Sequence, residues 1–388
     1  MAMNNFDFYN PVKILFGEGK IGEIGNEIPK DALIMMTYGG GSIKRNGIYD
    51  QVIKSLSAFK IIEFGGIEPN PKYETLMKAV ELGRTKKVDF ILAVGGGSVL
   101  DGTKFISAAI PFAGNDPWDI LKKPGKIEIS NAIPYGTVLT LPATGSEMNM
   151  YAVISRDSTT EKLSFGHPLV FPKFSVLDPV VTYSLPDNQI ANGVVDAFVH
   201  VIEQYLTYPV KAYIQDRWAE GLLQTLIEMG PKALTSPLNY DVRANVMWSC
   251  TLATNGILSL GVPTDWATHT IGHELTAFFG LDHAVTLAIV LPSLLRDTKE
   301  EKRQKILQFA ERIWNIKVGT EDRIVDEAIE KTEAFFQSLN VKTRLSDYGI
   351  TKEQIRPIIQ RFEERRWKLG ENKSIDSERI QRILLASI

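Results

Sequence analysis

Asp196 and His200 lie four residues apart in Asn192-Gly-Val-Val-Asp196-Ala-Phe-Val-His200, a spacing that puts a carboxylate and an imidazole on one face of a helix. His269-Thr-Ile-Gly-His273 repeats the interval in a second segment, and His283 follows beyond Gly280, which reads as a helix stop. A single buried histidine is most often a satisfied core residue, and an Asp–His pair at this spacing is often only a hydrogen bond. The combination says more. The chain has 5 histidines in 388 residues, and three of them cluster near one another while a fourth is paired with an aspartate, so a divalent metal site is the favoured reading. One carboxylate with three imidazoles suits Fe2+ or Zn2+, and the spacing does not choose between them. The remaining histidine, His167, precedes Pro168 in a loop.

A second candidate site is made of glycines. Val94-Gly95-Gly96-Gly97-Ser98-Val99-Leu100-Asp101 joins an apolar run to a helical one, and bare backbone there lets N–H groups and the positive end of a helix approach a phosphate. Tyr38-Gly39-Gly40-Gly41-Ser42 is a second such turn. One alone is equally well a tight turn, whereas two in one sheet point to a dinucleotide. The G-x-G-x-x-G spacing is absent, and no Asp or Glu is expected to close the first or second strand, where a ribose diol is commonly held. Gly39, Gly40 and Gly41 leave space for a 2′-phosphate, and Ser42, Lys44 and Arg45 offer donors and charge, so NADP(H) is expected rather than NAD(H). For Lys44 and Arg45, a solvated helix start is an equally good reading.

The elements that must position these groups alternate in type over the first part of the chain. Strands are expected at Ala32–Thr37, Lys60–Phe64 and Phe90–Val94, and helices at Ile48–Phe59, Tyr73–Lys86 and Leu100–Ala109, the pattern of a parallel sheet. Tyr151–Arg156 and Lys162–Phe165 around Asp157 read as a hairpin. Beyond Leu185-Pro186 the period becomes helical, as in Asn188–Leu206, Ile214–Met229, Val242–Leu258 and Glu300–Asn315. The expected architecture is an α/β dinucleotide-binding domain over residues 1–185 and an all-helical, metal-binding domain over 186–388.

Bulk properties exclude several classes. A chain of 388 residues exceeds what one hydrophobic core usually serves. Its 43 Lys+Arg against 46 Asp+Glu, a net charge of −3, come without a basic block, so nucleic acid is not an expected partner. Cys250 is the only cysteine and cannot form an intramolecular disulfide. MAMNNFDFYNP has no basic segment followed by an apolar one, and no apolar run reaches the ~20 residues of a membrane span. A cytoplasmic protein that does not span the membrane is expected.

Taken in order, the glycine turns, Thr140-Leu-Pro-Ala-Thr144-Gly-Ser146-Glu, Asp196-x3-His200, His269-x3-His273 and His283 resemble the iron-containing, group III alcohol dehydrogenases over nearly the whole chain. The segment Tyr38 to Asp50 is most similar to the butanol dehydrogenase and broad-range aldehyde reductase branch, which generally uses NADP(H). The resemblance implies that Asp196, His200, His269 and His283 bind the metal, and that His273 lies between metal and nicotinamide without being a firm ligand; an imidazole titrating near neutrality suits a proton relay there, with a packing role as the alternative. It also implies that Gly40, Ser42, Asn70, Gly96, Gly97, Ser98, Asp101, Thr140, Thr144, Asn149 and Lys162 contact the cofactor, and Gly39 and Gly41 are grouped with them. The family's Pro-His-Gly around the last ligand is here Asp282-His283-Ala284. A homodimer acting on small alcohols and aldehydes, mainly by aldehyde reduction in an interdomain cleft, is what the family implies. Alternatives are a dehydroquinate-synthase-like or glycerol-dehydrogenase-like enzyme on the same fold, or a non-catalytic nucleotide-binding sensor. No cluster of basic residues for a phosphorylated, carboxylated substrate lies near the metal motifs, and an intact ligand set argues against a sensor.

Overall fold

The computed structural model describes residues 2–123 and 125–388. Two compact units make up the chain. One comprises Tyr9–Pro186 with Pro237–Thr251, and the other Asp187–Ser236 and Leu252–Ile388 with the N-terminal residues up to Phe8.

The first unit is built on β1 (Lys13–Phe16), β2 (Leu33–Tyr38), α1 (Ser42–Arg45), α2 (Ile48–Ser55), β3 (Lys60–Phe64), α3 (Tyr73–Lys86), β4 (Phe90–Gly96), α4 (Gly97–Ala109), α5 (Asp119–Lys122), β5 (Tyr135–Leu141), β6 (Tyr151–Arg156), β7 (Glu161–Gly166) and β8 (Phe174–Leu177). Six strands form a parallel sheet in the order β1-β8-β5-β4-β2-β3, and β6 and β7 form a separate antiparallel hairpin. Both faces of the sheet are covered, as a parallel sheet requires. Met35, Ile91, Ala93 and Leu139 join one buried cluster, while their neighbours Ile34, Met36, Leu92 and Val138 join the other. The strands and helices expected before Leu185 fall within a few residues of those observed, and α3 and β3 coincide with their expected spans, whereas the helix expected at Glu300–Asn315 begins at His283.

Strand order reverses beside β2: the chain runs from β2 outward to β3, then returns to β4 on the other side of β2, with Tyr38 paired to Val94. The glycine turns follow the carboxyl ends of these two adjacent strands. That switch point is where open α/β sheets bind ligands.

The second unit contains α6 (Asp187–Tyr205) and α7 (Tyr213–Thr235); after α8 (Tyr240–Ala253) come α9 (Ala267–Phe279), α10 (His283–Arg312), α11 (Glu321–Ser338), α12 (Arg356–Arg365) and α13 (Ser377–Ala386). The expected contiguous helical domain over 186–388 differs from this partition, because most of α8 belongs with the sheet. Met247 enters one of the sheet's buried clusters, Trp248 packs edge-on against Phe16 with ring centroids 5.9 Å apart, and Thr251 Oγ1 donates to Glu147 at 2.6 Å. Helical period reveals a helix but not which core its apolar face enters.

Candidate metal centre and dinucleotide turn

Asp196 and His200 lie in the middle of α6, and both side chains are buried. His269 and His273 lie on α9, which begins after Asp265, whose Oδ1 accepts the Ala267 N–H at 3.0 Å. Gly280, at φ 68°, ends α9 in the left-handed conformation that favours glycine, and α10 starts three residues later with His283 in its first turn. The two helices approach closely because Gly272 has no side chain: a Cβ there would lie 2.8 Å from Thr286 Oγ1. The Asn192 side chain on α6 donates to Asp282 Oδ2 at 3.2 Å, tying the start of α10 to α6.

These constraints bring four ligand atoms, one each from Asp196, His200, His269 and His283, within 4.8 Å of one another. Asp196 Oδ1 is 3.5 Å from His200 Nδ1, 3.9 Å from His269 Nε2 and 3.6 Å from His283 Nε2. Asp196 Oδ1, His200 Nδ1 and His269 Nε2 are all buried without a hydrogen-bond partner. Orphaned buried polar atoms are costly, and their convergence on one point is the arrangement a cation relieves. The donor set therefore fits Fe2+ or Zn2+. Burial holds the His200 imidazole down at about 4, with Asp196 opposing and His269 adding to the fall, so it is a neutral donor near pH 7. At His269 burial also lowers the value, but the Glu203 and Asp196 carboxylates outweigh it and raise the group to about 9. His273 is half-buried and lies outside this set, its ring 5.4 Å from that of His283 and 6.4 Å from that of His269.

Glu203 went unnoticed in the sequence. It lies three residues after His200 on the same face of α6, and its carboxylate accepts the His269 Nδ1–H and, at 2.6 Å, the Thr268 N–H. The signal was present as the helical spacing 196, 200, 203.

In the sheet unit, Gly41 carries the positive φ of the first turn, 88°, whereas a Cβ on Gly39 would come 3.3 Å from the Ile67 carbonyl oxygen. Gly40 is open, with nothing within 4 Å. The expectation that no carboxylate closes the first two strands needs correction, since Glu63 is the penultimate residue of β3. Its carboxylate accepts from Tyr49 at 2.6 Å, Tyr38 at 2.9 Å and Lys44 at 3.0 Å. Lys44 is thus already paired, and Ser42 and Arg45 remain exposed at the start and end of α1. In the second turn, a Cβ on Gly96 would lie 2.9 Å from Leu141 Cβ and one on Gly97 2.6 Å from Thr144 Oγ1, so packing alone demands glycine at both.

Ser98, Asn70 and Lys162 come together: Ser98 Oγ accepts the Asn70 N–H at 3.2 Å, and Lys162 Nζ donates to Asn70 Oδ1 at 2.9 Å. Thr140 is the penultimate residue of β5, and Thr144 Oγ1 accepts the Ser146 N–H at 3.2 Å. Asp101 and Asn149 face inward. Asp101 accepts from Ser146 Oγ at 2.6 Å and from the Val153 N–H at 2.8 Å, and Asn149 Oδ1 accepts from the fully buried Lys104 at 2.8 Å.

Residues 11–179 match the family model for iron-containing alcohol dehydrogenase, and residues 190–388 match the C-terminal model of the same family. This chain is an iron-containing alcohol dehydrogenase family member. It is 58% identical over 387 residues to the NADPH-dependent aldehyde reductase YqhD of Escherichia coli K12, covering 99% of this chain and 100% of that protein. A Bacillus subtilis protein described as a probable NADH-dependent butanol dehydrogenase is 43% identical over 391 residues, with 100% of both chains covered. The crystal structure of E. coli YqhD superposes with a TM-score of 0.98 at 57% identity over 100% of both chains. Among the described residues, no helix is long and apolar enough to cross a membrane.

Proposed function

We propose that this family member is a metal-dependent oxidoreductase that transfers hydride between NADP(H) and a primary alcohol or aldehyde, working mainly as an aldehyde reductase. The observation that carries the reading is the buried convergence of Asp196, His200, His269 and His283, whose orphaned polar atoms fit one divalent cation. The full-length likeness to an NADPH-dependent aldehyde reductase supports the cofactor and the direction.

A cation held by these four residues would act as a Lewis acid on the substrate oxygen, and nicotinamide C4 would accept or supply the hydride. The chain's own groups do the rest. Burial of Asp196, His200 and His269 excludes water from the donor set. His273, beside His283 but outside the set, would hold the proton that the substrate oxygen gains or loses. On the sheet unit, the Gly95–Ser98 turn would offer backbone N–H groups to the pyrophosphate and the Gly39–Ser42 turn would leave space for the 2′-phosphate, with Gly39, Gly40, Gly41, Ser42, Asn70, Gly96, Gly97, Ser98, Thr140, Thr144 and Lys162 as the cofactor-contacting set. Asp101 and Asn149 contribute from beneath, through the Lys104 network that shapes the Thr144–Asn149 segment.

NADPH rather than NADH, Fe2+ or Zn2+ as the metal, a homodimer and a cytoplasmic location belong to the same proposal. The test is steady-state turnover of short-chain aldehydes with NADPH and with NADH on protein reconstituted with Fe2+ or Zn2+. Turnover favouring NADPH in kcat/KM supports the reading; none with either cofactor and either metal overturns it.

A further inference from the structure

The structure assigns Glu203 as the positioning residue of the metal centre, which fixes the tautomer of His269 and thereby sets the affinity of the centre for a divalent cation. This inference rests on reading Asp196, His200, His269 and His283 as the metal ligands.

The two ring nitrogens of His269 face different carboxylates. Nε2 points at Asp196 and is buried without a hydrogen-bond partner, so it can serve as a ligand only if it carries no proton. A neutral imidazole has one N–H, and Nδ1 must hold it. Glu203 enforces that placement, because an ionised carboxylate only accepts, and its Oε2 meets His269 Nδ1. The other oxygen, Oε1, accepts the Thr268 N–H at 2.6 Å, so the carboxylate cannot turn away from the ring without orphaning a buried amide.

The backbone around His269 is held from the same helix. The Glu203 carbonyl accepts the Asp265 N–H at 2.8 Å, and the buried Asp265 carboxylate is paired with Lys302 at 2.8 Å. Trp266, between Asp265 and Ala267, is kept at φ 62°, a conformation that bulky residues rarely adopt, with its ring centroid 5.3 Å from that of His269. A strained residue packed on a candidate ligand indicates that this turn is over-determined. Asp196, His200 and Glu203 all belong to α6, so a single helix supplies two donors and the group that orients a third.

Glu203→Gln is the discriminating change. Both groups facing Glu203 are donors, and glutamine offers one acceptor oxygen and one NH2. If the NH2 faces His269, Nδ1 must accept and the proton moves to Nε2, where it blocks ligation; if it faces Thr268, a buried amide loses its acceptor. Glu203→Asp keeps two acceptors but sets them back by one methylene.

Apo protein prepared with a chelator would be titrated with Co2+ and with Zn2+ by chelator competition, recording the visible spectrum of the Co2+ form and the Tm of each apo protein. The expected result is a ~10–100-fold loss of affinity in Glu203→Gln, a smaller loss in Glu203→Asp, and a changed Co2+ spectrum at saturation. Equal affinity in Glu203→Gln and wild type overturns the inference. So does weaker binding with a lowered apo Tm and an unchanged saturated spectrum, the mark of a merely structural role. If Glu203→Gln does not fold, Glu203→Asp decides: wild-type affinity and spectrum overturn the inference, and weaker binding with an altered spectrum supports it. Wild-type protein that binds neither ion overturns the metal reading itself, a separate failure.

Discussion

Replacing Lys104 by Met isolates the polar network beneath the dinucleotide turns. Lys104 is fully buried on α4, and its ammonium donates to Ser146 Oγ at 2.8 Å, Asn149 Oδ1 at 2.8 Å and the Tyr151 carbonyl at 2.6 Å. Burial pushes its pKa from 10.5 down to about 8 even though Asp101 and Glu147 pull the other way. That displacement corresponds to about 3 kcal/mol against the charged form, a cost that methionine would remove. Methionine would also take away the Lys104 charge that opposes the effect of burial on the Asp101 carboxyl, leaving Lys162 to oppose it. Both Asp101 oxygens are fixed, to Ser146 and to the Val153 N–H, so the group cannot swing to solvent. A hydrogen bond from a charged donor contributes about 1.5–3 kcal/mol, and the three that Lys104 makes would all be lost, so the second effect should win.

The pH dependence has a definite sign. In the wild type the lowered lysine pKa means that the unfolded chain binds more protons between pH 8 and 10.5, so this group makes stability rise across that window. The variant lacks the rise. A raised carboxyl pKa acts oppositely, costing stability as pH rises above the unfolded value of 3.8, so the deficit of Lys104→Met should shrink as the pH falls. Urea denaturation of both proteins between pH 5 and 10, with NADPH fluorescence titrations at pH 7, reads these effects. A deficit under about 1 kcal/mol at pH 7, with unaltered NADPH affinity, would refute the view that Lys104 holds up the turn.

His269→Ala should abolish stoichiometric metal and aldehyde turnover, because it removes one of the four ligand atoms within 4.8 Å; retained metal by elemental analysis would rule the ligand set out. His273→Ala should keep its metal while kcat drops on the order of 10²-fold if it is the proton-transfer group, and an unchanged kcat would remove it from the chemistry. Gly40→Asp should shift preference towards NADH by repelling a 2′-phosphate. It is a cleaner test than Gly39→Asp, whose Cβ would press on the Ile67 carbonyl, or Gly41→Asp, which would be strained at φ 88°. A ratio of kcat/KM values for the two cofactors that does not move would count against the adenosine end lying at this turn. Chelating the metal should lower Tm, by the equivalent of about 2.7 kcal/mol where free metal had been 100-fold above Kd; an unchanged Tm would mean that the cation does not stabilise the fold.

The sequence by itself determined what repeats at short range. Alternation of apolar runs and glycine turns specified strand–helix units, and four-residue intervals specified which histidines and carboxylates share a helix face, because both periods are set by backbone geometry alone. Thus β3, α3 and the β6–β7 hairpin were legible, as was the Asp196–His200 pairing. Tertiary structure decided what depends on partners distant in the chain. Helical period announced a helix at α8, yet only packing against Phe16 and Glu147 assigned it to the sheet unit. Lys44 read equally well as a charge for a phosphate or as part of a solvated helix start, and only the fold showed Glu63 of β3 at 3.0 Å from it. Asp101 stands beside the glycine turn in sequence, and only the fold reveals that its oxygens accept from Ser146 and the Val153 N–H, more than forty positions onward. Helical spacing put Glu203 on the face of Asp196 and His200, but its partner emerged only when α9 folded against α6, since the hydrogen bond to His269 spans 66 residues.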